Sequence, residues 1–306
     1  MPGKPVSQKI ITIARQPMLR SIAGGLVMAL SFGYLGYILV RNWNELKAYD
    51  WHIDYSQAAL AFIYYSAALA FAVLGWSLIM SRLTQVTSPC KHLKYYVYTN
   101  LFRRLPAPLF YLIGRVYLYE REGVTKTLTV TISLLEWILI VLSGIVVYLL
   151  TLPFLSLPSV WRSPWIPSGI LIIGMVLVHP QTFQAVLRLL GRGESPVPFG
   201  YGDILVWLTV YSLVWIGGGL VLYAAINSLY ALPLARLPTV VGIWVLSGLV
   251  TTLVFATSAG LGLKELTLGV LLGHLMPSPL AVIVALLMRV CLIIFELIWG
   301  IVALRL

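Results

Sequence analysis

Six apolar runs, 21–40, 57–80, 127–152, 204–232, 237–258 and 278–304, each reach the roughly 20 residues that cross a bilayer as an α-helix. The sequence between them is too short to enclose such runs in water. Only 10% of residues are charged, against about a quarter in soluble domains, and mean hydropathy is +0.93. The chain therefore reads as an all-α, polytopic integral membrane protein, a single transmembrane domain over 1–306. A shorter run at 166–181 and two interrupted segments bring the expectation to seven or eight spanning helices with two broken or re-entrant pieces. The first run follows Lys4, Lys9, Arg15 and Arg20 as a signal peptide's would, but no small-residue cleavage site follows it, so a retained first helix is expected.

Basic residues set the expected orientation. The N-terminal tail is basic without acids, and 82–126 holds eight Lys/Arg against Glu120 and Glu122. The 41–56 loop instead carries Glu45, Asp50 and Asp54 against Arg41 and Lys47. The positive-inside rule puts the N-terminus, 82–126 and the loop 182–203 in the cytoplasm, and loops 41–56 and 153–165 outside a plasma membrane. The net charge of +11 follows largely from this topology and calls for no nucleic acid. Part of it suits anionic lipid headgroups, the expected partners.

Two segments break the apolar pattern. Residues 95–118, YYVYTNLFRRLPAPLFYLIGRVYL, are interrupted at Pro106 and Pro108; residues 256–275, ATSAGLGLKELTLGVLLGHL, are interrupted at Gly260 and Gly262. Stretches 101–109 and 257–263 are expected to be non-helical. Arg115 and Glu136 accompany the first break, and Lys264, Glu265, Arg289 and Glu296 accompany the second. From turn to buried charge the spacing is thirteen residues in both, Gly123 to Glu136 and Met276 to Arg289. Paired interrupted segments with swapped charges suggest weak inverted halves, around 95–152 and 257–304, with a site at their interface. If the halves pack about a pseudo-twofold, Glu136 meets Arg289 and Arg115 approaches Glu265. Ionisable residues at membrane depth are costly, so all six charges are candidates for a polar cavity that binds substrate.

The same residues carry a resemblance. Leu105, Pro106, Arg115, Gly123, Val124 and Glu136, with Gly260, Leu261, Gly262, Glu265 and Arg289, resemble the two signatures of the lysylphosphatidylglycerol synthetase transmembrane-region family, the flippase-like domain. Ala107 stands where the family has glycine, Ser258-Ala259 where it has Pro-Gly, and Lys264 where it has arginine. The resemblance implies a flippase-like protein that translocates a phospholipid or lipid-linked amphiphile, without the soluble aminoacyl-transferase domain that its best-understood members carry.

Other readings stand beside this one. Buried charges can simply pair and lock helices in register. A membrane glycosyltransferase using a lipid-linked sugar would want external carboxylates, which Glu45, Asp50 and Asp54 supply. A non-catalytic subunit of a membrane complex, or a homo-oligomer, is equally compatible with the composition. His52, His92, His179 and His274 lack metal-ligand spacing, so neither metal nor cofactor is expected. Trp43, Trp51, Tyr95, Tyr96 and Tyr98 are expected as interfacial anchors, and the small-residue run Gly217–Gly219 as a helix-packing surface.

Overall fold

A computed structural model describes residues 28–84, 86–102, 109–155, 158–189, 199–254 and 260–305. Among these the chain is helical throughout, with no strand. The helices are α1 (Met28–Arg41), α2 (Trp43–Ala48), α3 (Tyr55–Leu83), α4 (Pro89–Phe102), α5 (Leu109–Glu120) and α6 (Lys126–Thr151). They continue as α7 (Trp165–Leu177), α8 (Pro180–Leu189), α9 (Tyr201–Asn227), α10 (Leu237–Val254), α11 (Gly260–Leu272) and α12 (Ser278–Leu304). Five of them, α3, α6, α9, α10 and α12, are long and apolar enough to cross a membrane. The two shorter apolar helices, α1 and α7, fall below that length among the described residues. The run 166–181 is split at His179-Pro180, because proline disfavours helical backbone in the residue before it.

The surface explains why so few charges suffice. On α12, Ala281, Val282, Val284 and Ala285 are buried, while Val290, Ile294, Leu297 and Ile301 face outward. One turn from the buried carboxylate of Glu296 the helix thus presents bare hydrocarbon. A water-soluble monomer rarely exposes apolar patches beyond a few hundred Å². In a bilayer this face is the ordinary lipid contact, and the chain is a multi-pass membrane protein.

Two helical hairpins organise the interior. In the first, α5 ends in a Schellman turn: Val124 N–H donates to Tyr119 C=O and Gly123 N–H to Glu120 C=O, both at 3.0 Å. Gly123 takes φ +80°, which glycine adopts without a Cβ clash. The chain then returns as α6. In the second hairpin α11 ends at Leu272, and Pro277 precedes the start of α12.

The second break differs from expectation over 260–263, while 257–259 lie outside the described residues. Helix α11 already starts at Gly260, so 260–263 are helical, although Gly262 within that first turn takes φ +91°. Glu265 holds this turn by accepting from the Gly262 N–H at 3.1 Å, as an acidic residue does at a helix start. Lys264 lies against Trp244, ten residues before the end of α10, so α11 folds back alongside α10. At the first break, 101–102 close α4 and Leu109 opens α5; Pro106 and Pro108 lie outside the described residues.

The α5–α6 turn is tied to α4 by Glu122. It accepts from Lys91 at 2.6 Å and from the Tyr95 hydroxyl at 2.7 Å. These two donors, Lys91 foremost, hold its carboxyl below the ordinary range despite partial burial. Because the folded pKa is depressed, the stabilisation is complete above the unfolded value near 4.3 and fades as pH falls through the lowered one. For a partly exposed pair the size is at most about 1 kcal/mol. Melting curves between pH 6 and 3 should show a shallow acid loss that Glu122→Gln removes; an unchanged slope in the variant would assign the loss elsewhere.

Candidate functional site

The hairpins, with α3, α4, α9 and α10, line a half-open cavity of about 390 Å³. This lies within the roughly 300–1,000 Å³ of small-molecule sites. Its wall is aromatic: Tyr65 of α3, Tyr96 of α4, Tyr111 of α5, Trp137 of α6, Tyr211 and Trp215 of α9, and Trp244 of α10. Lys264 and Glu296 are the charged groups among its described lining residues.

Glycine makes room for the two indoles that α9 and α10 exchange. A Cβ on Gly218 would sit 2.2 Å from Trp244 Nε1, and one on Gly248 would sit 2.5 Å from the Trp215 ring. Each helix therefore seats the other's tryptophan in a place where only hydrogen fits. Trp215 Nε1 donates to the Ile140 carbonyl at 2.9 Å, so its indole N–H is satisfied by α6. Trp244 carries a cation instead: Lys264 Nζ lies 3.7 Å from its ring centroid. Such contacts contribute about 0.5–2 kcal/mol, more when desolvated.

Behind this wall sits a deeply buried ion pair. Arg115, 2% exposed, ion-pairs with Glu136, 1% exposed. Its guanidinium lies 3.9 Å from the centre of the Trp76 ring and 5.0 Å from that of Tyr96. The second oxygen of Glu136 accepts from the Tyr211 hydroxyl at 3.1 Å. Arg115 Nε finds no partner among the described residues. The pair thus fixes Tyr96 and Tyr211, whose other sides form the cavity wall, from behind.

The six charged candidates divide by position. Lys264 and Glu296 line the cavity, and Arg115 and Glu136 support its wall. Glu265 and Arg289 form an ion pair of 2.9 Å, with Arg289 5.6 Å from the Phe32 ring centre of α1, and are not among the lining residues. The expected pairing across the halves is therefore corrected. Each ion pair closes within its own hairpin, Arg115 with Glu136 and Glu265 with Arg289, where a tight turn already brings the helices together. Glu296 is approached by Asn100 of α4 at 3.5 Å. Gly262 packs on α1, where a Cβ would meet Ser31 at 3.1 Å.

Several residues with other expected roles also find places. Tyr96, expected at an interface, is 4% exposed and packs against Arg115. His92, 1% exposed, bridges the Tyr119 hydroxyl at 2.8 Å and the Val86 carbonyl at 3.1 Å, fastening α4 to α5. Asp54 caps α3 by accepting from Ser56 N–H at 2.9 Å, and Asp50 lies 3.1 Å from His52 on the surface. Asp54 thus has a capping role at the start of α3, while the Asp50–His52 contact is exposed. Tyr211, Trp215, Trp244 and Asn100 were not singled out in the sequence. For Trp215 and Trp244 a signal exists in the glycine that follows each, Gly218 and Gly248; Tyr211 and Asn100 carry none.

The arrangement can hold an amphiphile whose polar end needs one cation, one anion and apolar ring faces. Comparison with protein-family models and with curated proteins finds no match for this chain.

Proposed function

We propose that this protein handles a phospholipid or lipid-linked amphiphile, drawing its headgroup into the aromatic cavity while the acyl chains stay in the bilayer. One observation carries the reading: an interior of about 390 Å³ with a lysine and a glutamate in its wall, inside an otherwise apolar helical body. A headgroup crossing hydrocarbon unaided leaves polar groups unsatisfied at several kcal/mol each. A cavity at membrane depth removes that cost. In this reading Lys264 engages the phosphate, the Arg115–Glu136 pair positions the wall, and the N-terminus faces the cytoplasm. The resemblance to the flippase-like family points the same way.

Reconstituted protein tests it directly. Vesicles containing fluorescent phospholipid in both leaflets should lose the protected fluorescence to an external reductant at least tenfold faster with the protein than without. Lys264→Gln should remove most of that gain. A rate equal to that of protein-free vesicles, with ion gradients imposed in either direction, would reject lipid translocation.

A further inference from the structure

The cavity's polar groups are spread where a simple phosphate site would gather them. Asn100 belongs to α4, Tyr111 to α5, Thr251 and Thr252 to α10, and Glu296 to α12. A phosphate or an ammonium is met by groups that converge on one point. Groups distributed over four helices suit a ligand that carries its own polar groups around a rim.

Aromatic rings fill the wall between them. Trp215 donates its N–H to the Ile140 carbonyl and Tyr211 its hydroxyl to Glu136, so both rings are held by their polar tips. Trp137 and Trp244 add indoles from α6 and α10. The seats at Gly218 and Gly248 fix Trp244 and Trp215 before any ligand arrives. An aromatic face is electron-rich and attracts C–H groups polarised by neighbouring oxygens.

One contact supplies a spacing. Asn100 Nδ2 lies 3.5 Å from Glu296 Oε1, at the long limit of a hydrogen bond. A carboxylate accepts at several lone-pair positions and an amide nitrogen donates more than one proton, so each has capacity beyond its contacts within the protein. A donor beside an acceptor is the complement of two neighbouring hydroxyls: one donates to the carboxylate while the next accepts from the amide. Thr251 and Thr252 donate to the Ser247 and Gly248 carbonyls, both at 2.7 Å, which orients their oxygens to accept from further hydroxyls.

Resting on the lipid-handling reading above, we infer that the cavity takes a polyhydroxylated ring, a sugar or a cyclitol, carried on the phosphate of a lipid. The C–H face of the ring lies on the indoles, two adjacent hydroxyls meet Glu296 and Asn100, and the phosphate meets Lys264. Such a ring presents apolar faces and a polar rim together, as the wall does.

Short-chain lipids make the test a titration of the intact protein in a sugar-free detergent, followed by tryptophan emission, to which Trp137, Trp215 and Trp244 contribute. Dihexanoyl phosphatidylinositol is compared with the glycerol, choline and methyl lipids of the same chains. A short isoprenyl phosphoglucose is compared with its isoprenyl methyl phosphate. Glycerophosphoinositol and glucose 1-phosphate are the chain-free controls. We expect at least one ring lipid to bind tenfold tighter than the methyl lipid of its series, and the tighter of the two names the source as sugar or cyclitol. Phosphatidylglycerol, with adjacent hydroxyls but no ring, should fall between inositol and methyl. Asn100→Leu should bring the ring-to-methyl ratio to within about threefold, whereas Lys264→Gln should weaken all the lipids alike. Equal binding of ring and methyl lipids in both series overturns the polyol site while leaving lipid handling intact. Tightest binding by the choline lipid assigns the aromatic wall to a cation and overturns it too. Binding of no lipid overturns lipid handling itself. A chain-free compound binding as tightly as its lipid keeps the ring chemistry but overturns the lipid source. The wild-type comparisons decide even if Asn100→Leu does not fold.

Discussion

Glu136→Gln is expected to destabilise the protein by about 3–5 kcal/mol, the cost of breaking a buried ion pair by removing one partner. The reason lies in what is left behind. Arg115 has a side chain only 3% exposed, its Nε already has no partner among the described residues, and Glu136 is its anion. The surrounding rings of Trp76 and Tyr96 attract the cation but accept no hydrogen bond of comparable strength. Glu265→Gln removes the corresponding anion of the second hairpin, where the Arg289 side chain is 29% exposed and water or headgroups can replace it. Its cost should be nearer 1 kcal/mol. Thermal melts in detergent should therefore rank wild type, Glu265→Gln and Glu136→Gln in descending order, with the last clearly separated. Arg115→Met combined with Glu136→Met should recover much of the loss, since neither charge then remains buried. Equal melting of the two single variants would show that burial does not set the strength of these pairs.

The location of those pairs shows where sequence reasoning reached and where it stopped. The thirteen-residue spacing from each turn marked Glu136 and Arg289 as equivalent, and they are: each is the long-helix member of a hairpin ion pair. Equivalence does not, however, mean contact across the halves. The partners lie instead 21 and 24 residues away in sequence, across a tight turn. Closing a short loop costs less entropy than bringing distant segments together, so the local partner had the advantage. The apolar periodicity and its proline and glycine breaks were legible because membrane burial writes them into composition. The cavity wall was not. A tyrosine at an interface, one packed against lipid and one facing a cavity look alike in a sequence, since all three suit an apolar ring with a polar tip. Tyr95, Tyr96 and Tyr98 show this: only the fold places the Tyr95 hydroxyl on Glu122, the Tyr96 ring against Arg115 and the Tyr98 hydroxyl on the Ala303 carbonyl.

The glycine seats offer the second large effect, because an added methyl would occupy space that the partner indole already fills. Gly218→Ala places a carbon 2.2 Å from Trp244 Nε1, far inside van der Waals contact, and Gly248→Ala places one 2.5 Å from the Trp215 ring. Overpacking a close-packed interior costs about 1–3 kcal/mol where neighbours can shift. Neither indole shifts freely: Trp215 is held by its bond to the Ile140 carbonyl, and Trp244 lies between Gly218 and the ammonium of Lys264. Both substitutions should fall at or above the top of that range. Gly218→Ala has a further consequence, since displacing Trp244 removes the surface on which Lys264 rests and moves the cation out of register with the cavity. Pairing it with Trp244→Leu should relieve the clash and return most of the stability. It should not return binding of a phosphate headgroup, because the ring that positions Lys264 is gone. Stability and binding are thus expected to separate in the double variant, read by melting and by lipid titration. If Gly218→Ala alone melts like wild type, the exchange of indoles between α9 and α10 is not what fixes their approach. If instead the double variant regains both properties, Lys264 holds its place without Trp244, and the aromatic wall does no more than fill space.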